Sequence, residues 1–134
     1  MRLNHVTLTV SDIERAVEFY KTLGLIQIVA DYPAYARFVC PDGDSTLSLH
    51  GLGPHEEVAP QATTVHFECD DLDDKVAELE AKGLAFDQEP TDQPYLWREA
   101  ILRDPDGNVL FLFHAGENRL NPPWRLPADG LRRS

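Results

Sequence analysis

The chain carries the same succession of sequence patterns twice, and this internal repeat restricts its fold more than any other feature. A histidine recurs at an offset of 61 residues, a Val and a Gly at 59, and a Pro-Asp-Gly turn at 64 (His5 and His66; Val17 and Val76; Gly24 and Gly83; 41–43 and 105–107). Because these landmarks keep their order with drifts of only a few residues, they predict two related units. Each unit is too small to bury its own sheet, so we expect the two to share one core.

The first copy predicts one strand, one helix and three further strands. Apolar and polar residues alternate from 3 to 10, which indicates a strand whose polar face carries His5. Ser11 and Glu14 have the spacing of a capping box, and Gly24 has the position of a helix terminator. A helix is therefore expected from the Ser11 cap to Gly24. Strands follow at 25–30, 34–40 and 45–50, with a turn at 41–44.

The second copy predicts the same order of elements. Strands are expected at 64–69, 84–87, 96–103 and 109–114, with a helix between Asp70 and Gly83 and a turn at 104–108. The predicted fold class is therefore α+β, with two βαβββ modules in a single domain over 1–118. Module one covers 1–51, a linker covers 52–62, and module two covers 63–114. Residues 119–134 are interpreted as an extended tail with Trp124 docked on an apolar site, the alternative being a frayed terminus.

The charge balance narrows the classes of partner. The chain has 12 Lys and Arg against 23 Asp and Glu, a net charge of −11, which is the wrong sign for nucleic acid or an anionic membrane surface. The apolar runs are too short to cross a bilayer, and the N-terminus lacks a signal-peptide pattern. Two cysteines, Cys40 and Cys69, fit a reducing compartment. We therefore expect a cytoplasmic protein that binds a small molecule, with no nucleic-acid or membrane partner.

Three features together resemble the vicinal oxygen chelate superfamily. They are the paired βαβββ plan, a histidine at the start of each module (His5 and His66), and the sequence Asp-Pro-Asp-Gly-Asn at 104–108 before the last strand. That superfamily includes glyoxalases, extradiol dioxygenases, fosfomycin-resistance transferases and bleomycin-resistance proteins, and the resemblance covers residues 3 to about 114. It implies a cupped mixed sheet around a central cavity, and a homodimer. In metal-dependent members a divalent metal binds two vicinal oxygens of the substrate.

The metal site that the resemblance implies is incomplete in this chain. His5 and His66 match the two histidine positions of the family, but the glutamate of the last strand is replaced by Phe111, which cannot bind a cation. His50 or Glu68 is a candidate for the third ligand, and Glu68 is also a candidate catalytic base. Such an open site suits Zn²⁺, Ni²⁺, Fe²⁺ or Mn²⁺, and the sequence does not distinguish them.

Two functions remain open at this point. The first is a metal-assisted lyase or isomerase of the glyoxalase type, and the matched histidines favour it as the starting hypothesis. The second is a metal-free protein of the bleomycin-resistance type that sequesters its ligand, which the phenylalanine at 111 favours. An acidic protein would attract a cationic drug through its long-range field. The predicted cavity wall consists of Thr7, Ser48, Trp97, Phe111 and Phe113, with the last two placed inward by the family resemblance. The two phenylalanines either contact a ligand or fill the cavity as part of the core.

Overall fold

The computed structural model describes residues 1–53 and 63–127, so most of the predicted linker and the end of the tail lie outside the described residues. Module one consists of β1 (His5–Val10), α1 (Ile13–Leu23), β2 (Ile26–Asp31), β3 (Tyr35–Val39) and β4 (Thr46–Gly51). Module two consists of β5 (Val65–Glu68), α2 (Leu72–Ala81), β6 (Phe86–Asp92), β7 (Arg98–Arg103) and β8 (Val109–His114). A short 3₁₀-helix follows at Gly116–Arg119. Neither described helix has the length and apolar character of a membrane span.

Each module forms its own four-stranded mixed sheet. The strand orders are β1-β4-β3-β2 and β5-β8-β7-β6, so the two sheets have the same topology. The first strand of each module pairs in parallel with its last strand, and the other neighbours are antiparallel. The structure therefore confirms the predicted α+β class with two βαβββ modules.

The helix covers one face of each sheet, and the buried faces join in one core. The helical residues that point inward are spaced three or four apart, as an amphipathic helix requires (Ile13, Ala16, Val17, Tyr20 and Leu23 in α1; Leu72, Val76 and Leu79 in α2). A single cluster of buried apolar residues contains side chains from both modules, as the small size of each unit led us to expect. We call the opposite face of each sheet, which no helix covers, its open face.

The predicted start of α1 was wrong by one residue. Asp12 is the N-cap, since its carboxylate accepts a hydrogen bond from the Arg15 amide at 3.2 Å. The Ser11 amide instead donates to Asp106 Oδ1 in module two, at 2.9 Å. Asp and Ser are equally good N-caps, so the local sequence cannot choose between them, and the contact with the other module decides.

Strand β6 is longer than predicted and β7 begins later. β6 continues through Pro90 to Asp92 with two shifts of register against β7, which is possible because β6 lies at the edge of its sheet. β7 begins at Arg98 because Leu96 has a φ of 68°, which lies outside the extended region. Trp97 therefore precedes the strand in which it was predicted.

A buried hydrogen-bond network connects the two modules. The Tyr20 hydroxyl in α1 donates to Asp104 Oδ2 at 2.7 Å, although the two residues are 84 positions apart. Burial and then the Asp104 carboxylate raise the pKa of Tyr20 far above its ordinary value, so the phenol keeps its proton and donates it. Asp104 also accepts hydrogen bonds from the amides of Asp106 and Asn108 and from the Asn108 side chain, at 2.8–2.9 Å.

The tail does not follow its predicted course. The amide of Arg125 donates to the carbonyl of Pro122 at 2.9 Å, so the chain turns after the 3₁₀-helix rather than running extended there. Trp124 is 59% exposed and is not docked on an apolar site. The tail after residue 127 lies outside the described residues.

Gly51 at the end of β4 gives a first prediction. A Cβ atom at this position would lie 2.0 Å from the carbonyl oxygen of Pro33, which is a backbone atom and cannot move alone. We expect Gly51→Ala to lower the free energy of unfolding in urea by about 2 kcal/mol through overpacking. Gly43→Ala is the control, because its Cβ would meet no atom within 4 Å and only its φ of +95° opposes the change. Equal losses in the two variants would contradict the steric explanation.

Candidate functional site

The open face of module one carries a cluster of hydroxyls around His5. The His5 Nδ1 atom is hydrogen-bonded to the Thr46 hydroxyl, and its Nε2 atom lies 3.1 Å from Ser48 Oγ. Thr7 Oγ1 lies 2.8 Å from the same Ser48 oxygen. Parallel pairing of β1 with β4 places Thr46 opposite His5 and Ser48 opposite Thr7. The register of the two strands therefore brings these four side chains together. Both ring nitrogens of His5 are therefore engaged by hydroxyl groups.

Strand β3 extends this polar surface with an arginine and a tyrosine. The Arg37 Nε atom donates to the Tyr35 hydroxyl at 2.8 Å, and the guanidinium carbon lies 5.3 Å from the centre of the Tyr35 ring. The hydrogen bond with Ser48 and the neighbouring Arg37 cation lower the pKa of Tyr35. His50 lies opposite Tyr35 at the end of β4, two residues after Ser48 and on the same face.

The open face of module two is aromatic. The His66 ring is stacked on Phe111 with centroids 4.4 Å apart, and Trp97 is stacked on Phe113 at 4.6 Å. His66 also presents its ring edge-to-face to Phe113 at 5.7 Å and to Trp97 at 6.2 Å. Tyr95 meets Trp97 at 6.0 Å. We call these five residues the aromatic cluster. Partial burial lowers the pKa of His66, and this effect outweighs the nearby Glu99 carboxylate, which acts to raise it. The imidazole is therefore neutral at pH 7.

Glu68, the candidate base, is already bound on both carboxylate oxygens. Its Oε2 atom accepts hydrogen bonds from the amides of Ala115 and Gly116, at 2.8 and 3.0 Å. Its Oε1 atom lies 3.5 Å from Arg119 Nε. Glu68 therefore holds the start of the 3₁₀-helix against β5, and any substrate would have to compete with these contacts.

Glu99 is a site residue to which the sequence analysis assigned no role. It lies on β7 opposite Phe113 and is 4% exposed. Its Oε1 atom accepts a hydrogen bond from the Tyr95 hydroxyl at 2.8 Å. The available signal was its alternation with Trp97 and Ile101 in the predicted strand, which places a carboxylate on the face of the tryptophan.

The residues that the structure describes do not fit a divalent metal held by three protein ligands. Within 1–53 and 63–127, no three His, Cys, Asp or Glu side chains are placed to hold one ion. The donors explain this result: His5 is engaged by hydroxyls, Glu68 by amides and a guanidinium, and His66 is stacked on Phe111. The hydrocarbon ring at position 111 occupies the place where the family resemblance requires a carboxylate.

Two cavities lie where the modules meet. The larger, of about 850 Å³, extends from the end of α1 and the turn at 41–42 to the start of α2, and it reaches His66, Glu68 and Phe113. The smaller, of about 160 Å³, lies at the N-terminal ends of β1 and β5 and is lined by both His5 and His66. The structure thus brings the two histidines to one small cavity. The other predicted site residues line neither of these two cavities: Thr7, Ser48, His50, Trp97 and Phe111.

The larger cavity is acidic and contains both cysteines. Its charged lining residues are Asp42, Glu68, Asp70, Asp71 and Glu78 against Lys75 and Arg119. An acidic cavity of this kind favours cationic over anionic ligands. Burial raises the pKa of Cys69 to about 11 and also raises that of Cys40, so both remain thiols at neutral pH rather than nucleophilic thiolates.

Comparison with known proteins places the chain in a family. The model of the Glyoxalase/Bleomycin resistance protein/Dioxygenase superfamily matches residues 2–112. The uncharacterized protein YraH of Bacillus subtilis is 28% identical, over 84% of this chain and 98% of YraH. TnmS3, an antibiotic binding protein from Streptomyces sp. CB03234, is 29% identical with a TM-score of 0.70, over 86% of this chain and 96% of TnmS3.

An enzyme of known name also shares the architecture. Lactoylglutathione lyase from Agrobacterium tumefaciens superposes with a TM-score of 0.70, over 84% of this chain and 92% of the lyase. At 20% identity this likeness concerns the fold alone. Since the matched region spans both modules, the chain is a member of the Glyoxalase/Bleomycin resistance protein/Dioxygenase superfamily.

Proposed function

We propose that this protein is a metal-free binding protein that sequesters a flat, aromatic small molecule on the aromatic cluster of module two. The observation that carries the proposal is the stacking of Phe111 on His66 at 4.4 Å. The ring fills the position from which a metal-dependent member would supply its carboxylate, and it adds a face to an aromatic wall. Aromatic walls with a few polar groups are typical of sites for drug-sized ligands.

The geometry of the cluster suits a planar ligand. Trp97 and Phe113 lie nearly parallel, with 19° between their planes, as do His66 and Phe111, with 11°. Two nearly parallel pairs present ring faces and edges on which a further ring can stack or dock edge-on. Tyr95 at the border of the cluster is 43% exposed, so the cluster can be reached from solvent.

The similarity to an antibiotic binding protein supports binding rather than chemistry. TnmS3 is 29% identical to this chain over most of both proteins, whereas the similarity to the lyase is limited to the fold. The net charge of −11 and the acidic cavity beside the cluster favour a ligand that carries positive charge.

A metal-assisted lyase or isomerase is the competing proposal. One observation favours it, namely that His5 and His66 line the same small cavity. Elemental analysis of the purified protein and of His66→Ala separates the two proposals. Stoichiometric metal that disappears in the variant would support the enzyme and refute the metal-free binder.

The binding proposal is tested directly with acridine, a flat tricyclic that is neutral at pH 7.5. The chain has two tryptophans, so Trp124→Phe leaves Trp97 as the only one and makes its fluorescence a reporter of the cluster. We expect saturable quenching with one site per chain, unchanged by excess EDTA. N-acetyltryptophanamide titrated in parallel corrects for absorption and collisional quenching. Quenching that does not exceed this control, or that requires an added metal, would refute the proposal.

A further inference from the structure

Glu99 is a buried carboxylate without a charged partner among the described residues. It is 4% exposed. Within 1–53 and 63–127 its carboxylate accepts one hydrogen bond, which the neutral Tyr95 hydroxyl donates to Oε1. No Lys, Arg or His of that part of the chain forms an ion pair with it, in contrast to Glu68, which lies near Arg119 and His114. Removing a carboxylate from water without a compensating cation is costly.

The second carboxylate oxygen of Glu99 is not completely closed off from solvent. Within the described residues, the one fully buried side-chain oxygen or nitrogen without a partner is Asp106 Oδ2. Glu99 Oε2, which accepts no described hydrogen bond, therefore keeps some contact with solvent. Glu99 lies opposite Phe113 on one side and Thr91 on the other, and Trp97 precedes it by two residues. The carboxylate thus lies at the border of the aromatic cluster.

Glu68 and Glu99 flank Phe113 from its two neighbouring strands but differ in their surroundings. Pairing places Glu68 on β5 and Glu99 on β7, both opposite Phe113 on β8. Two backbone amides and a guanidinium contact the Glu68 carboxylate, whereas the one described hydrogen bond to the Glu99 carboxylate comes from a neutral hydroxyl. Of the two carboxylates, only Glu99 still lacks a strong partner in the described part of the chain.

We infer that Glu99 determines the ligand specificity of the aromatic cluster by forming an ion pair with a cationic group, such as an ammonium or amidinium, on a ligand whose rings lie on Trp97 and Phe111. This inference rests on the proposed function and names the ligand class as planar aromatic cations. A charge-assisted hydrogen bond to Glu99 supplies the compensation that the protein itself lacks, and the ring faces add a cation–π attraction. Tyr95 acts as a positioning residue that holds the carboxylate in place through its hydroxyl.

A matched pair of ligands tests the inference. Acridine and 9-aminoacridine have the same tricyclic frame, but at pH 7.5 the first is neutral and the second is a cation. In calorimetric titrations of the full chain we expect 9-aminoacridine to bind at least tenfold more tightly, a difference of about 1.4 kcal/mol. Glu99→Gln is expected to remove this preference while it changes the affinity for acridine by no more than about twofold. Glu99→Asp, which keeps the charge but shortens the side chain, is expected to lie between the two.

Glu68→Gln is the matched control, because it removes the same charge from the same sheet face on the other side of Phe113. It is expected to retain the preference for the cation. Equal weakening by the two Gln variants would assign the preference to the overall negative field and overturn the inference. A wild-type protein that binds both acridines equally would also overturn it and leave the proposed function intact. A wild-type protein that binds neither would refute the proposed function and the inference together.

Discussion

Asp104→Ala is expected to lower the free energy of unfolding by about 3–4 kcal/mol, because the variant leaves several buried donors without an acceptor. Asp104 is 4% exposed and accepts hydrogen bonds from the Tyr20 hydroxyl, from two backbone amides and from the Asn108 side chain. The Tyr20 bond joins the helix of module one to the last turn of module two. The loss therefore acts on the contact between the modules as well as on the turn.

Urea unfolding followed by circular dichroism measures this effect. Tyr20→Phe, which removes one donor and keeps the ring in the core, is expected to cost about 1–2 kcal/mol. Asp106→Ala is the matched control, since the Asp106 carboxylate accepts one described hydrogen bond, which the Ser11 backbone amide donates to Oδ1. A loss for Asp104→Ala that is no larger than that for Asp106→Ala would show that the network does not stabilise the fold as described.

Trp97→Ala is expected to weaken the binding of acridine by about 30-fold, or about 2 kcal/mol, which is the size of a typical hot-spot residue. The indole stacks on Phe113 at 4.6 Å and meets His66 and Tyr95 edge-on, so it contributes to three contacts of the cluster. Its removal takes away the largest apolar surface of the proposed site. Calorimetry is the appropriate measurement, because the variant also removes the fluorescent reporter.

Trp124→Ala serves as the control for this prediction. Trp124 has the same chemistry but lies exposed in the tail, outside the aromatic cluster. We expect this variant to bind acridine as the wild type does, within about twofold. If both tryptophan variants lose affinity equally, the loss is not specific to the aromatic cluster and the proposed site is wrong. If neither variant loses affinity, the aromatic cluster is not the binding site.

The repeat in the sequence was sufficient to predict the fold class, because each element has a local signature. Alternation predicts the strands, the spacing of three or four predicts the helices, and Gly24 marks the end of α1, where it adopts a φ of 118°. The errors occur where a contact across the chain or an unusual local backbone conformation decides. Ser11 lost the cap to Asp12 because its amide bonds to Asp106, and Trp97 precedes β7 because Leu96 turns the chain.

The site was less predictable, since its chemistry depends on what each side chain contacts. The family resemblance implied that His66 and Phe111 face one cavity, but nothing in the sequence indicated that they pair across neighbouring strands with their rings stacked. Nor could it indicate that hydroxyls engage both nitrogens of His5, or that Glu99 is buried without a cation. The homodimer implied by the family resemblance stays a prediction.

The way in which the two modules are joined has a consequence for how such a protein can change. Each sheet completes its main-chain ladder within its own module, and no described strand pairs with a strand of the other module. Contacts such as Ser11 with Asp106 and Tyr20 with Asp104 link the halves instead. The spacing of the two halves is therefore set by side chains, namely those of the shared core and those of these turn and helix contacts. Substitutions of these side chains can change that spacing, and with it the size of the ligand that fits, while the hydrogen bonds within each sheet stay intact.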